Sequence, residues 1–490
     1  MRTSPSRAAG RKLISVAAVS ATLLAGVTTT AAVAQPAADG HAPVTPQRSA
    51  PALAGPAEAA PSVPAERLIV GYKPGAAEAT SDRAASSDAA AKGRKAGEDL
   101  GFERRLGSGA ALVGLGDGLS TKAVSDVIAE YKADPQVAYV EPDRLNTPLA
   151  TPNDTHYTKQ WDLFETTAGM RVPGAWDLAT GSGVTVAVLD TGYVAHSDLA
   201  ANIVPGYDFI SDTFVSVDGD GRDSDPSDPG DWNSANECQT GYPAAGSSWH
   251  GTHVAGTVAA VANNNKGVAG VAYGAKVSPV RVLGKCGGYD SDIIDAITWA
   301  SGGTVAGVPA NPNRADVINM SLGGSGRCTT ATQNAVNGAV NRGTTVVVAA
   351  GNSNANAANF SPASCSNVIS VAATNRSGAR ASYSNYGTTV DIAAPGGQTG
   401  TASADGILST LNTGTRTPSA EAYAYYQGTS MAAPHIAGLV ALMKSANPSL
   451  TPAQIESAIK ANARALPGAC SGGCGAGLAD AAKTVRAVRG

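Results

Sequence analysis

Four short segments of this chain combine side chains fit for acyl transfer with local patterns that would expose them. In Val188-Leu189-Asp190-Thr191-Gly192 a carboxylate ends an apolar run, where a strand would deliver it to a crevice. His250-Gly251-Thr252-His253-Val254-Ala255-Gly256-Thr257 opens a helix of small residues, with one imidazole at its entry and a second one turn deeper. Gly428-Thr429-Ser430-Met431-Ala432-Ala433-Pro434-His435 sets a hydroxyl at a helix start. There the first N–H groups are unpaired and the dipole end is positive, features an acyl-transfer nucleophile exploits. In Val346-Val347-Val348-Ala349-Ala350-Gly351-Asn352 an amide follows a buried run and could donate to an oxyanion in the same crevice.

Taken singly, each segment has a plainer reading. Asp190 and Asn352 are common turn residues after strands, and Ser430 is a common N-cap. Two histidines three apart share a helix face, as metal ligands would. The zinc-peptidase pattern, however, needs histidines four apart with a Glu between, and neither is present. Spacing leaves both His250 and His253 open as a base, with His250 the more exposed. His435, inside its helix, reads as a packed structural residue.

Groups this distant in sequence meet only if regular elements bring them together. Short, almost continuous apolar runs over 184–189, 277–283, 317–320, 346–349 and 368–371 read as strands buried on both faces, as in a parallel sheet. Helical patterns over 252–262, 291–300, 330–341, 430–444 and 452–463 lie between or after them. That alternation predicts a doubly wound α/β domain with a mostly parallel sheet and its ligands at the carboxyl ends of the strands.

The first third of the chain has a different grammar. Arg2, Arg7, Arg11 and Lys12 precede the uncharged run 13–27, and Ala32-Val33-Ala34 offers a cleavage site, so residues 1–34 read as a secretory signal. Residues 35–65 hold seven Pro and ten Ala in 31 positions and cannot bury enough surface to order, which makes them a linker. Residues 66–145 read as a small α+β module of strand, helix, strand, helix, strand, with Ser120 or Thr121 capping the second helix. Residues 146–153 form a polar connector. A net charge of -4, from 35 Lys+Arg against 39 Asp+Glu, gives no basic face for nucleic acid.

In the order Asp190-Thr-Gly, His250-Gly-Thr-His-Val-Ala-Gly-Thr, Ser321-Leu-Gly-Gly, Ala350-Gly-Asn352 and Gly428-Thr-Ser430-Met-Ala-Ala-Pro-His, residues 155–485 resemble the subtilisin-like serine proteases, in their secreted bacterial and proteinase K-like branches. The chain order Asp, His, Ser is the one that family uses. The resemblance implies a secreted serine endopeptidase with Ser430 as nucleophile, His250 rather than His253 as base and Asp190 as its orienter. It further implies Asn352 and the Ser430 N–H as oxyanion donors. Substrate would lie between Ser321, Leu322, Gly323 and Gly324 on one wall and Ala349, Ala350 and Gly351 on the other. No acidic residue falls in those walls, which points to broad or apolar side-chain preference. The 66–145 module is similar to the family's inhibitory propeptide, a ferredoxin-like unit. It would act as intramolecular inhibitor and chaperone and be cut off in the connector, leaving a peptidase of residues 154–490. The expected partners are protein or peptide substrates and the propeptide, with no nucleic acid, no membrane after export, and a monomeric enzyme.

Two further features bear on stability. Asp218, Asp220, Asp223, Asp225, Asp228 and Asp231 put six carboxylates within 14 residues, a self-repelling loop that a calcium ion would settle. The resemblance adds a second calcium candidate at Asp391, with carbonyls of Ser366 and Val368. All six cysteines fall in the peptidase region, and the resemblance implies the sequential pairing Cys238–Cys286, Cys328–Cys365 and Cys470–Cys474.

Overall fold

A computed structural model describes residues 66–116, 119–143, 151–400 and 402–489. The expected signal (1–34), the linker (35–65) and residues 146–150 of the expected connector lie outside the described residues. The chain divides into two compact units, with described residues 66–143 in one and 151–489 in the other.

The first unit runs β1 (Arg67–Tyr72), α1 (Asp82–Ala96), β2 (Leu100–Arg105), β3 (Ala111–Leu115), α2 (Thr121–Lys132) and β4 (Val137–Pro142). Its sheet has the order β2-β3-β1-β4 with every pair antiparallel, which is the ferredoxin-like βαββαβ arrangement. Both helices begin on serine caps, Ser81 accepting from the Ala84 N–H and Ser120 from the Ala123 N–H, and α1 ends at Gly97 in the left-handed region. Leu68, Val70, Ala89, Val113, Val127 and Tyr131 form its core. The strand β2 was not expected: only its Leu100 is buried, and Glu103 and Arg104 disguise the pattern.

The second unit begins with the single turns α3 (Trp161–Phe164) and α4 (Pro173–Trp176). Next come β5 (Thr185–Asp190), β6 (Tyr207–Asp208), the turn α5 (Thr213–Ser216), α6 (His250–Ala259), β7 (Lys276–Arg281), α7 (Asp290–Ala300) and β8 (Val317–Met320). Beyond these lie β9 (Gly324–Ser325), α8 (Thr330–Asn341), β10 (Thr345–Ala349), β11 (Phe360–Ser361), β12 (Ile369–Thr374) and β13 (Ile392–Pro395). The hairpin β14 (Ile407–Asn412) and β15 (Glu421–Tyr426) leads into α9 (Thr429–Ala446), α10 (Pro452–Asn462) and α11 (Ala481–Val488). Seven strands form one all-parallel sheet in the order β13-β12-β10-β8-β5-β7-β6. From β5 the chain crosses to the edge strand β6 and returns to β7 on one side, and then builds outward on the other through β8, β10, β12 and β13. The boundary between β5 and β8 is therefore the topological switch point, where such folds open a crevice.

Continuous Val, Ile and Ala runs suit strands with both faces covered, and β8, β10, β12 and β13 are buried along their whole length. Helix α9 is apolar on nearly every side, buries almost its entire length, and packs against β8, β10, β12 and β13. The three disulfides pair as expected, Cys238–Cys286, Cys328–Cys365 and Cys470–Cys474. Among the described residues no helix is long and apolar enough to cross a membrane.

Candidate active site

The carboxyl ends of β5, β8 and β10 lie side by side across the switch point, and each delivers one functional segment. Asp190 is the last residue of β5 and is fully buried. Its Oδ1 lies 2.7 Å from His250 Nδ1 and also accepts the Thr191 N–H at 2.8 Å. His250 is the first residue of α6, placed there by Trp249, which takes a left-handed turn at φ 49°. Burial alone would lower the His250 pKa. The Asp190 charge and hydrogen bond, with Asp231 and Asp228 farther back, outweigh burial and hold it above the ordinary histidine value.

The second imidazole is spoken for. His253 Nε2 lies 3.1 Å from the Ile407 carbonyl and 3.0 Å from that of Ala424, its ring stacks on Tyr426, and burial pushes its pKa down to about 3. His435 is buried in α9 between the Met431 carbonyl and the Asp162 carboxylate. Of these three, His250 alone is left with a carboxylate on one nitrogen and, among the described residues, no partner on the other.

Ser430 lies in the first turn of α9, one residue after the helix starts at Thr429. Pro434 sits in the second turn rather than the first and has no N–H to offer the Ser430 carbonyl. Ser321 takes that place: its Oγ donates to the Ser430 carbonyl at 2.7 Å, and the Ser430 Oγ donates back to the Ser321 carbonyl at 3.1 Å. Asn319 Nδ2 fixes the Ser321 hydroxyl in turn. No hydrogen bond joins Ser430 to His250 in this resting arrangement, a common looseness of free sites. The end of β15 also ties the two segments together. Tyr426, four residues before the serine, donates its hydroxyl to the carbonyl of Ser248, two residues before the histidine, at 2.8 Å.

Asn352 follows β10. Its Oδ1 accepts from the Thr429 N–H and from the Thr429 hydroxyl, both at 2.9 Å, which turns Nδ2 the other way. A Cβ placed on Gly428 would lie 3.5 Å from both Asn352 Nδ2 and the Ser430 nitrogen, so the two donors converge on one small region. Thr429, which the sequence analysis did not single out, thus fixes the direction of the Asn352 amide.

The expected substrate walls are partly engaged with the chain itself. Gly324 pairs with Ser361 in the short β9–β11 ribbon, and a Cβ on Gly323 would come within 2.8 Å of the Ser361 carbonyl. Ala349 and Ala350 are buried, as are Ser321 and Leu322. The small residues here serve the approach of Ser361 at least as much as that of any ligand.

The acidic loop behaves differently from expectation. Among the described residues no group of three or more His, Cys, Asp or Glu side chains is gathered to hold a metal. Asp218 pairs with Arg281, which also holds the buried Asp208 and the Ser216 carbonyl. Asp223, Asp225 and Asp228 each accept a backbone N–H two residues on, and Asp220 is exposed. Arg222 leaves the loop to bind Asp292 and Asp295. Asp391 accepts the Ser370 N–H and pairs with Lys460, while the Ser366 carbonyl takes Gln333 Nε2. Of the loop's charges, that of Asp218 is met by Arg281, from a strand 63 residues on.

The far end of that loop reaches the site. Buried Asp228 accepts the Thr191 hydroxyl at 2.7 Å, and Thr191 Oγ1 accepts the Gly251 N–H at 3.0 Å. Asp231 accepts both the N–H and the hydroxyl of Ser248, at 2.6 and 2.7 Å. Burial raises the pKa of both carboxyls, and the Asp231 charge raises that of Asp228 further.

Residues 181–477 match the model of the subtilase family. The chain is 56% identical over 430 residues to an extracellular protease of Xanthomonas campestris, covering 86% of this chain and 73% of that one. It is 45% identical over 436 residues to an extracellular basic protease of Dichelobacter nodosus, covering 86% and 71%. A solved structure described as proteases from Pseudoalteromonas arctica superposes with a TM-score of 0.68 at 60% identity, covering 69% of this chain and all of that one. With its parallel sheet, its segment order and these likenesses, the chain belongs to the subtilase family of serine proteases.

Proposed function

We propose that this secreted serine endopeptidase cuts peptide bonds through an acyl-enzyme formed on Ser430, with His250 as base, Asp190 as its orienter, and Asn352 with the Ser430 N–H as oxyanion donors. The observation that carries this reading is the 2.7 Å contact between Asp190 Oδ1 and His250 Nδ1, made where β5 ends beside the start of α9. With Nδ1 donating to Asp190, Nε2 presents a lone pair. As the Ser430 oxygen leaves the Ser321 carbonyl and bonds to the scissile carbon, His250 takes its proton, and the carbonyl oxygen becomes an anion facing the two donors. His250 then returns the proton to the departing amine, leaving an ester on Ser430. Water repeats the sequence: His250 removes its proton, the ester breaks, and the proton goes back to Ser430 Oγ. Digestion of a peptide library by the wild type, set beside Ser430→Ala, tests the proposal. Cleavage should vanish in the variant, and an equal product pattern from both would end it.

The 66–143 unit supports a self-processed zymogen, with the module as intramolecular inhibitor and chaperone. Pro152 is buried and Asn153 Oδ1 accepts the Asn265 N–H, so both pack as part of the second unit. We place the cut before them, in 146–150. N-terminal sequencing of active enzyme should give a start there, and a start near Gln35 would refute the zymogen.

Calcium is the structural ion the family resemblance implies. The 218–231 loop and Asp391 do not fit it as they stand, being held by Arg281, Lys460 and backbone amides. Asp154 and Asp198 fit better. Asp154 is buried with its Oδ1 lacking any partner, burial raises its pKa and the Asp198 charge raises it further, and Asn264 bridges to Asp198. Excess chelator should lower the melting temperature of the wild type and leave Asp154→Asn almost unmoved. An unmoved wild type would dismiss the ion.

A further inference from the structure

Asn352 sits on an irregular loop after β10, and irregular backbone holds a donor in place only if something fixes the loop. Thr429 holds the Asn352 amide and the Gly351 N–H, and one further side chain grips the loop on both sides of it. Asn385 is fully buried in the turn between β12 and β13. Its Nδ2 donates to the Ala350 carbonyl at 2.9 Å, and its Oδ1 accepts the N–H groups of Ser353 and Ala355, both at 3.0 Å. Its own backbone N–H donates to the Gly351 carbonyl at 2.8 Å. These four bonds fall on both sides of Asn352, on residues 350, 351, 353 and 355. Gly351 holds φ +105°, and a Cβ there would meet Asn385 Nδ2 at 2.3 Å, so the loop closes around the amide. Asn385 is itself anchored: the neighbouring Ser384 hydroxyl donates to the Asn385 carbonyl and accepts the Ala373 N–H from β12.

We infer that Asn385 is a positioning residue of the reaction, which sets the direction of the Asn352 donor by gripping residues 350–355. The inference rests on the proposed role of Asn352 and extends it to a residue that touches no reacting atom. Only an amide can do this, because one end must accept two N–H groups while the other donates to a carbonyl. A loop released from it keeps Asn352 but lets the donor wander, and a misplacement of about 1 Å can cost about 100-fold in rate.

The test is a double-mutant cycle on the full chain, with active sites counted by a serine-directed covalent reagent so that misfolded molecules do not enter kcat. Asn385→Ala should lower kcat about 10- to 100-fold while KM changes little, the mark of an interaction made in the transition state. Asn385→Asp keeps the shape and the two accepted bonds, loses the donor to Ala350, and should fall between. It carries the test if the alanine variant is not secreted. In an Asn352→Ala background either substitution should change kcat less than about twofold, because there is no donor left to aim. Full additivity, or an unchanged kcat in either single variant, would reduce Asn385 to a structural residue and overturn the inference. If Asn352→Ala itself leaves kcat unchanged, the oxyanion reading fails first and the inference falls with it.

Discussion

Asp190 and His250 are supported by charge. Behind them stand the buried Asp228 and the half-buried Asp231, near one another, and beside them Arg281, paired in register with Asp190 and locked to Asp208 and Asp218. The hydrogen bonds on the Ser430 and Asn352 side chains come from neutral groups, Ser321 and Thr429, with the neutral Asn319 and Asn385 behind them. In the proposed mechanism the difference follows from two tasks. The imidazole must change charge during the reaction, so fixed anions around it favour the imidazolium and set the pH at which it is ready. The oxyanion donors must not change at all, so rigid dipoles serve them better than ions.

Four substitutions would break or sharpen this contrast. Asp190→Asn removes the anion in contact with the base and should cost about 10⁴-fold in kcat, measured as kcat per titrated site, because the imidazole loses its tautomer. Arg281→Leu should destabilise the fold by about 3–5 kcal/mol in denaturant melts, since Asp208 would remain buried without its partner. A stability change under 1 kcal/mol would mean that the charged foundation is dispensable. Asn352→Ala should cost about 10²–10³-fold in kcat, the size measured for the corresponding donor in subtilisin, equally at every pH. Asp231→Asn should act in the opposite manner. His250 must be neutral to accept a proton, and its pKa is raised, so activity is lost as pH falls through a value above the ordinary 6.5. Removing one anion lowers that pKa and moves the acid limb of kcat/KM to lower pH, with the plateau largely kept. If Asn352→Ala moved the limb, or Asp231→Asn left it fixed, the two halves would not differ as described.

The sequence was most readable where local pattern decides structure. Val- and Ala-rich runs mark β5 and β10 because a strand covered on both faces has no polar side to show, and Thr451-Pro452 with Gln454 writes the start of α10 as a capping box. It was least readable where the partner is far along the chain. Arg281 sits in a Val-rich strand, and nothing near it signals a link to Asp208 and Asp218. The acidic loop therefore read as in need of a cation. Asn385, in Ser382-Tyr383-Ser384-Asn385, has the look of an ordinary turn residue until the residues on both sides of Asn352 are seen against it. The β14–β15 hairpin was missed because its second strand is only half-buried and a polar eight-residue loop separates the pair.

The central claim is that one hydroxyl does the chemistry. Treating active enzyme with a serine-directed covalent reagent, then mapping the adduct by mass spectrometry, measures this directly. The account predicts a single adduct per chain, on Ser430, with activity falling in proportion to labelling and no adduct in the Asp190→Asn variant on the same timescale. An adduct at another residue, or full activity with Ser430 occupied, would contradict it.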